Sequence, residues 1–165
     1  EEIIGWLKPG CARIEVKGSV GRRKPDVGDI ELLCIPKAGA GVSLDDFENR
    51  VAMLLGGEQL AYRLSEKTGR KIGYGPLNKY LVHTGSGIPI DLFTTTTENW
   101  GMASIVRAGP KEFNIKMMNR FLSQSMKGHA YAGVTLADGT EAACPTEEDV
   151  FDLLGWDYLP PEQRG

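Results

Sequence analysis

Cysteine is scarce: Cys11, Cys34 and Cys144 are the only 3 in a chain of 165 residues. The number is odd and no CxxC spacing occurs, so neither a zinc site nor a disulfide framework is implied. Cys34 lies in the apolar run Leu32-Leu33-Cys34-Ile35, where a buried, inert thiol is expected. A reducing compartment follows as the expectation, the cytoplasm or, for a viral protein, the host cytoplasm. Long apolar runs are also missing, and none approaches the roughly 20 residues that a membrane helix needs. The opening Glu1-Glu2 is acidic and the apolar stretch after it is short, so no signal peptide and no membrane partner are expected. There is no internal repeat and no low-complexity tract, which argues against a solenoid or a disordered linker.

Net charge is low as well, −3 at neutral pH, and does not by itself advertise nucleic-acid binding. Its distribution is uneven. Every charge from Asp138 to Glu162 is acidic, whereas Arg107, Lys111, Lys116, Arg120 and Lys127 face only Glu112 between Arg107 and His129. A bipolar molecule can hold a phosphate backbone on one face despite a negative total. A chain of this length buries roughly 70% of its unfolded surface and folds without disulfides or a structural metal. It suits one domain with a small appended lobe.

The pattern of apolar residues predicts mixed secondary structure. Residues 2–7 read as the end of a helix stopped by Pro9-Gly10. Residues 12–20 alternate apolar and polar as a strand does, and 29–35 form a second, central strand. Ser43 is placed to cap a helix over 44–55 with Leu44, Phe47, Val51, Leu54 and Leu55 on one face. Strands are expected at 59–65, 79–84 and 88–94, the last two joined through Gly85-Ser86-Gly87. Helices follow at 98–107 and 111–126, then a short hairpin over 131–144 turning at Asp138-Gly139. A last helix over 147–154 opens at Thr146 and closes at Gly155. The change in character near Thr94–Thr97 predicts a boundary, with lobes at 1–97 and 98–165.

The chemistry concentrates in two places. Asp29 and Glu31 are two apart on a predicted strand, so both carboxylates share a face. Two convergent carboxylates repel unless a cation lies between them, and magnesium, which takes hard oxygen ligands, is the natural one. Spacing alone is a weak signal, since 22 acidic residues in 165 yield roughly 3 such pairs by chance. Two others, Asp46/Glu48 and Glu147/Asp149, fall on predicted helices and read as solvated surface. The context of Asp29 and Glu31 is what sets them apart. Gly18-Ser19 ends a strand ten residues upstream, where glycine lets a phosphate approach the backbone and serine can donate to it. Arg22, Arg23 and Lys24 follow as cations for a triphosphate. The second place is Asp91 in Ile88-Pro89-Ile90-Asp91-Leu92-Phe93. An acid among large apolar residues needs a metal, or a nearby Lys, Arg or backbone amide.

Gly18-Ser19, Gly28-Asp29-Ile30-Glu31 and Asp91 in an apolar strand together resemble the polymerase-beta-like nucleotidyltransferase superfamily. Its signature is Gly-Ser, then Asp-x-Asp or Asp-x-Glu, then a lone Asp. Ala108-Gly109-Pro110-Lys111-Glu112-Phe113-Asn114 is similar to the Thr-Gly-Ser-x-x-Phe-Asn that opens the thumb of X-family DNA polymerases. The tail from Thr146 through Pro160-Pro161-Glu162 looks like that family's C-terminal helix and Pro-Pro ending. The resemblance implies an α+β fold: a nucleotidyltransferase palm, with a mixed or antiparallel sheet and helices on one face, then a small mainly helical thumb with a short hairpin.

The resemblance also implies roles. Asp29, Glu31 and Asp91 would be the catalytic residues and hold two Mg2+ ions, with Mn2+ able to substitute. Gly18, Ser19, Arg22, Gly28, Gly109 and Asn114 would contact the nucleotide. Lys111, Lys116 and Arg120 are assigned to nucleic acid from their charge rather than from a motif. The implied partners are a dNTP and primer–template or gapped DNA, with room for a protein partner that adds grip. The chain departs from the pattern in lacking lyase and finger segments. Val106-Arg107 stand where two aromatics are usual, Pro89 where a basic residue precedes the third Asp, and Glu31 where polymerases have Asp. The expected activity is transfer of dNMP to a primer 3′-hydroxyl with release of pyrophosphate. The alternatives are a template-independent, small-molecule or RNA-end transferase and a non-catalytic nucleotide- or DNA-binding module.

Overall fold

A computed structural model describes residues 1–38 and 46–164. In chain order they form α1 (Glu2–Leu7), a 3-10 turn (Lys8–Gly10), β1 (Cys11–Lys17), α2 (Gly18–Gly21), β2 (Ile30–Pro36) and α3 (Phe47–Gly56). Next come β3 (Leu60–Tyr62), β4 (Asn78–His83), β5 (Pro89–Thr94), α4 (Trp100–Ala108) and α5 (Lys111–Ser123). The chain finishes with β6 (Lys127–His129), β7 (Gly133–Thr135), β8 (Glu141–Ala142), α6 (Glu147–Leu154) and a 3-10 turn (Pro161–Gln163). No helix among the described residues is long and apolar enough to cross a membrane. Two units result: Glu1–Val16 with Asp26–Thr94, and Lys17–Pro25 with Thr95–Gly165. The later boundary falls near the expected one, but residues 17–25, expected in the first lobe, group with the second. Their side-chain anchors explain this: Lys17 is bonded to Ser104 and Arg22 to the Ala108 carbonyl, both on α4.

The first unit is built on a five-stranded sheet in the order β1-β2-β5-β4-β3. The β2–β5 pair is parallel, whereas β4 runs antiparallel to both β5 and β3. The expected strand over 12–20 stops at Lys17, because Gly18 turns at φ 63° and the next residues wind into one helical turn. Leu32 and Cys34 of β2, with Ile90 and Leu92 of β5, pack against Ile3 and Leu7 of α1 and Phe47, Val51 and Leu54 of α3. Side chains alternate along a strand, so Glu31 and Asp91 belong to the opposite face.

The expected cap Ser43, and Leu44 after it, lie outside the described residues. The cap of α3 is Asp46, whose carboxylate accepts from the Glu48 amide at 2.9 Å. Glu48 is not simply solvated surface as the sequence suggested, because it pairs at 2.8 Å with the Nζ of Lys79, a side chain only 2% exposed. A buried ammonium must find an anion, and Glu48 is the one within reach. All three cysteines are buried and free. A hydrogen bond from the Cys34 thiol pulls the Cys11 thiol down and pushes Cys34 up. Burial pushes Cys144 to about 11.

The second unit packs α4, α5 and α6 around Met102, Ile105, Phe113, Met117, Phe121, Val150, Phe151 and Leu154. The single hairpin expected over 131–144 is a three-stranded antiparallel sheet, β6-β7-β8. Its extra strand, Lys127–His129, falls between the expected hairpin and the expected helix 111–126, which itself stops at Ser123. The Asp138-Gly139 turn forms as read, with the Asp138 carboxylate accepting from the Thr140 amide at 2.9 Å and its hydroxyl at 2.6 Å. Thr146 and Asp149 make a reciprocal capping box at the start of α6, and Gly155 closes the helix. The expectation that Glu147 and Asp149 are both solvated surface is therefore corrected. Asp149 caps the helix, and Glu147, with its side chain 11% exposed, binds the fully buried Arg164.

The tightest approach in this unit is at Gly101 of α4, whose amide donates to the Cys144 carbonyl at 2.8 Å. A Cβ there would lie 1.8 Å from the Thr146 carbonyl oxygen. Gly101→Ala is therefore expected to destabilise the protein by about 1–3 kcal/mol through overpacking against backbone, despite alanine's better helix propensity. Urea unfolding followed by circular dichroism measures it.

Candidate active site

The three sequence-predicted acids lie in the first unit. Glu31 and Asp91 are direct register partners across the parallel β2–β5 pair, between Ile30↔Ile90 and Leu32↔Leu92. Neighbouring strands are about 4.7–4.9 Å apart, so partners on one face can reach a shared cation. Asp29 stands one residue ahead of β2 and is half-buried. Gly28 is exposed, and a Cβ there would meet nothing within 4 Å, so the protein's own packing does not demand glycine at this position.

Asp91 also faces a cation that sequence reasoning missed. The Arg63 guanidinium, just past β3, donates to the Asp91 carboxylate and, at 3.3 Å, to the Leu81 carbonyl. It lies 5.3 Å from the centre of the Tyr80 ring, and Tyr80 is the register partner of Asp91 on β4. The only sequence signal was indirect: an acid in an apolar strand needs a partner, and Pro89 had removed the usual nearby basic residue. Nothing in the spacing pointed to a residue 28 positions earlier. Carboxylates of this type and register suit a hard divalent cation. As they stand, no group of three or more His, Cys, Asp or Glu among the described residues could hold a metal ion. The Asp91 carboxylate is instead bonded to Arg63.

The other expected nucleotide-binding residues, Gly18, Ser19, Arg22, Gly109 and Asn114, lie in the second unit. Gly18 is buried and Ser19 half-buried, and the Ser19 hydroxyl makes no hydrogen bond among the described residues. Arg22, expected on the triphosphate, donates to the Ala108 carbonyl at the end of α4. There it satisfies a helix-terminal acceptor and meets the negative end of the helix dipole. Gly109 follows at φ 67°, and a Cβ on it would come within 2.9 Å of the Arg22 Nη1, so both backbone and neighbour call for glycine. Asn114 Nδ2 donates to the Val106 carbonyl at 2.9 Å, while its Oδ1 is buried with no partner among the described residues.

The three cations assigned to nucleic acid do not form one stripe. Lys116 and Arg120 are four apart on α5 and share a face, but Lys111 in the first turn is about 140° away at 3.6 residues per turn. Arg120 is further committed, its Nε donating at 2.9 Å to the Leu154 carbonyl at the end of α6.

The fold is α+β, with a mixed sheet bearing paired carboxylates in the first unit and a second unit built on α4, α5 and α6. Residues 103–165 match the family model described as DNA polymerase beta thumb. The match supports a relationship to the polymerase-beta-like X family, carried by the thumb, and points to a DNA-binding, polymerase-like role. No curated protein matches the chain.

Two outcomes test this site. Arg63→Met is expected to destabilise the metal-free protein, because it leaves Asp91 beside Glu31 without the guanidinium. The same change is expected to tighten Mn2+ binding by roughly tenfold, since a competing cation is gone; thermal unfolding measures the first and calorimetric titration the second. On the thumb, Lys116→Ala should lower the salt dependence of DNA binding by about one phosphate contact while leaving stability unchanged. Arg120→Ala should instead lower the melting temperature.

Proposed function

We propose that the protein is a metal-dependent nucleotidyltransferase that adds dNMP from a dNTP to a primer 3′-hydroxyl, releasing pyrophosphate. The observation that carries this reading is the register of Glu31 opposite Asp91 on parallel strands, with Asp29 two residues before Glu31. Asp29, Glu31 and Asp91 would hold two magnesium ions, which when bound supply positive charge at the attacking and leaving oxygens. Asp91 accepts the proton of the attacking hydroxyl, a role that requires the Arg63 side chain to release it. Ser19 donates to a phosphate oxygen, and the Gly28 backbone allows a triphosphate to approach. Gly109 and Asn114 are the second unit's contacts to the sugar and base in this reading. The matched thumb supports DNA as the acceptor. Catalysis of this kind is positioning and electrostatics rather than covalent chemistry.

One observation favours a second reading. The Arg63–Asp91 ion pair gives the buried acid a partner without any metal, as a nucleotide- or DNA-binding module that has given up catalysis would require. Primer extension with each single dNTP in Mg2+ separates the readings. Template-matched incorporation is expected, falling at least roughly 1,000-fold in Asp91→Asn and Asp29→Ala while their circular dichroism stays native. Incorporation indifferent to the template identifies a terminal transferase. DNA binding without incorporation in either metal identifies the binding module.

A further inference from the structure

Lys17 is the residue immediately before Gly18, and it is 7% exposed. An ammonium buried this deeply costs more to desolvate than an apolar side chain in the same place, so its partners carry information. Its Nζ donates to the Ser104 hydroxyl at 2.6 Å and lies 5.3 Å from the centre of the Trp100 ring. Ser104, 1% exposed, donates its own hydroxyl hydrogen bond to the Glu147 carboxylate. Glu147 also accepts from Arg164 and, at 3.4 Å, from the Tyr158 hydroxyl. Arg164 is fixed in turn by the Leu159 carbonyl at 2.9 Å and by the faces of Phe113 and Phe151. A continuous buried polar chain thus runs from the C-terminal segment to the foot of the Gly18–Ser19 turn.

The far end of that turn is held by Arg22 on the Ala108 carbonyl. Ser104 and Ala108 are four residues apart on α4, so both anchors fall on one face of one helix. A backbone segment pinned at both ends to a rigid element has few conformations left, and satisfied buried networks specify a single arrangement.

We infer that Lys17, acting through Ser104 and Glu147, is a positioning residue that sets the Gly18–Ser19 turn in the conformation that receives the triphosphate. The inference rests on the nucleotidyl-transfer reading and adds to it that the nucleotide side of the site is tuned from the C-terminal segment. Lys17 does not touch the nucleotide itself. Its effect falls on nucleotide binding rather than on turnover.

The test uses Lys17→Met, which keeps the stem, and Glu147→Gln, which keeps the shape, in steady-state primer extension. Each is expected to raise KM for the dNTP by roughly tenfold with kcat within about twofold of wild type, the size of one lost charge-assisted hydrogen bond. The double variant is expected to be no worse than the poorer single one, because both cut the same chain. Lys17→Arg, which keeps a cation, is expected to recover most of the loss. Amide hydrogen exchange, which needs no activity, should quicken at residues 18–22 in Lys17→Met and not elsewhere in α4. Wild-type KM in an active Lys17→Met, or unchanged exchange at 18–22, overturns the positioning role. A wild-type protein without activity on any dNTP overturns the functional reading and this inference with it.

Discussion

The β2–β5 register sets two carboxylates side by side on one face of a sheet whose other face is packed with Ile, Leu and Phe. Like charges at that spacing are tolerated only beside a cation. The same alternation that sends Leu32 and Leu92 into the core forces Glu31 and Asp91 out together. Neither acid can be moved without shifting a strand by one residue and turning its apolar side chains outward. The acids are thus held in place by the hydrophobic core, which accounts for a polar site surviving in so apolar a strand.

The second unit depends on one face of α4. Gly101, Ser104 and Ala108 recur at three- and four-residue spacing, so they form a single stripe. Gly101 admits the backbone around Thr146, Ser104 links Lys17 to Glu147, and Ala108 offers its carbonyl to Arg22. A side chain at Gly101 would meet the Thr146 backbone and push α4 away from the segment before α6. Segment 17–25 belongs with the thumb unit for this reason, although it follows directly from a strand of the sheet.

The sequence made some of this legible and hid the rest for identifiable reasons. Strands and helices with strong periodicity were readable, as were α6 with its Thr146 box and the Asp138-Gly139 turn, because local chemistry decides them. The Asp29/Glu31 spacing was readable for the same reason, since strand alternation is local, but β2 starts only at Ile30 and the register that sets Glu31 opposite Asp91 is non-local. What stayed hidden was non-local. Arg63, just past β3, reaches Asp91 across 28 residues, Lys79 reaches Glu48 across 31, and Lys17 reaches Ser104 across 87. Each looks in sequence like an ordinary surface charge. Arg22 and Arg120 carry a second task that the sequence did not announce. Their charge suggested phosphate, yet each spends a donor on the last carbonyls of a helix, a need that appears only once the helix ends are placed.

These pairs also separate structural from functional charge. Lys79 with Glu48, and Arg164 with Glu147, each join a buried cation to a carboxylate on a helix, and in each the cation is the more buried partner. There the carboxylate serves the cation, and the pair fixes packing. Arg63 and Asp91 reverse the order: the acid is the more buried, 14% against 25% exposed, and it alone has another carboxylate as its register neighbour. A pair built only for packing gains nothing from a second acid alongside, whose charge raises the cost of burying the first. That carboxylate register neighbour is what separates this ion pair from the other two.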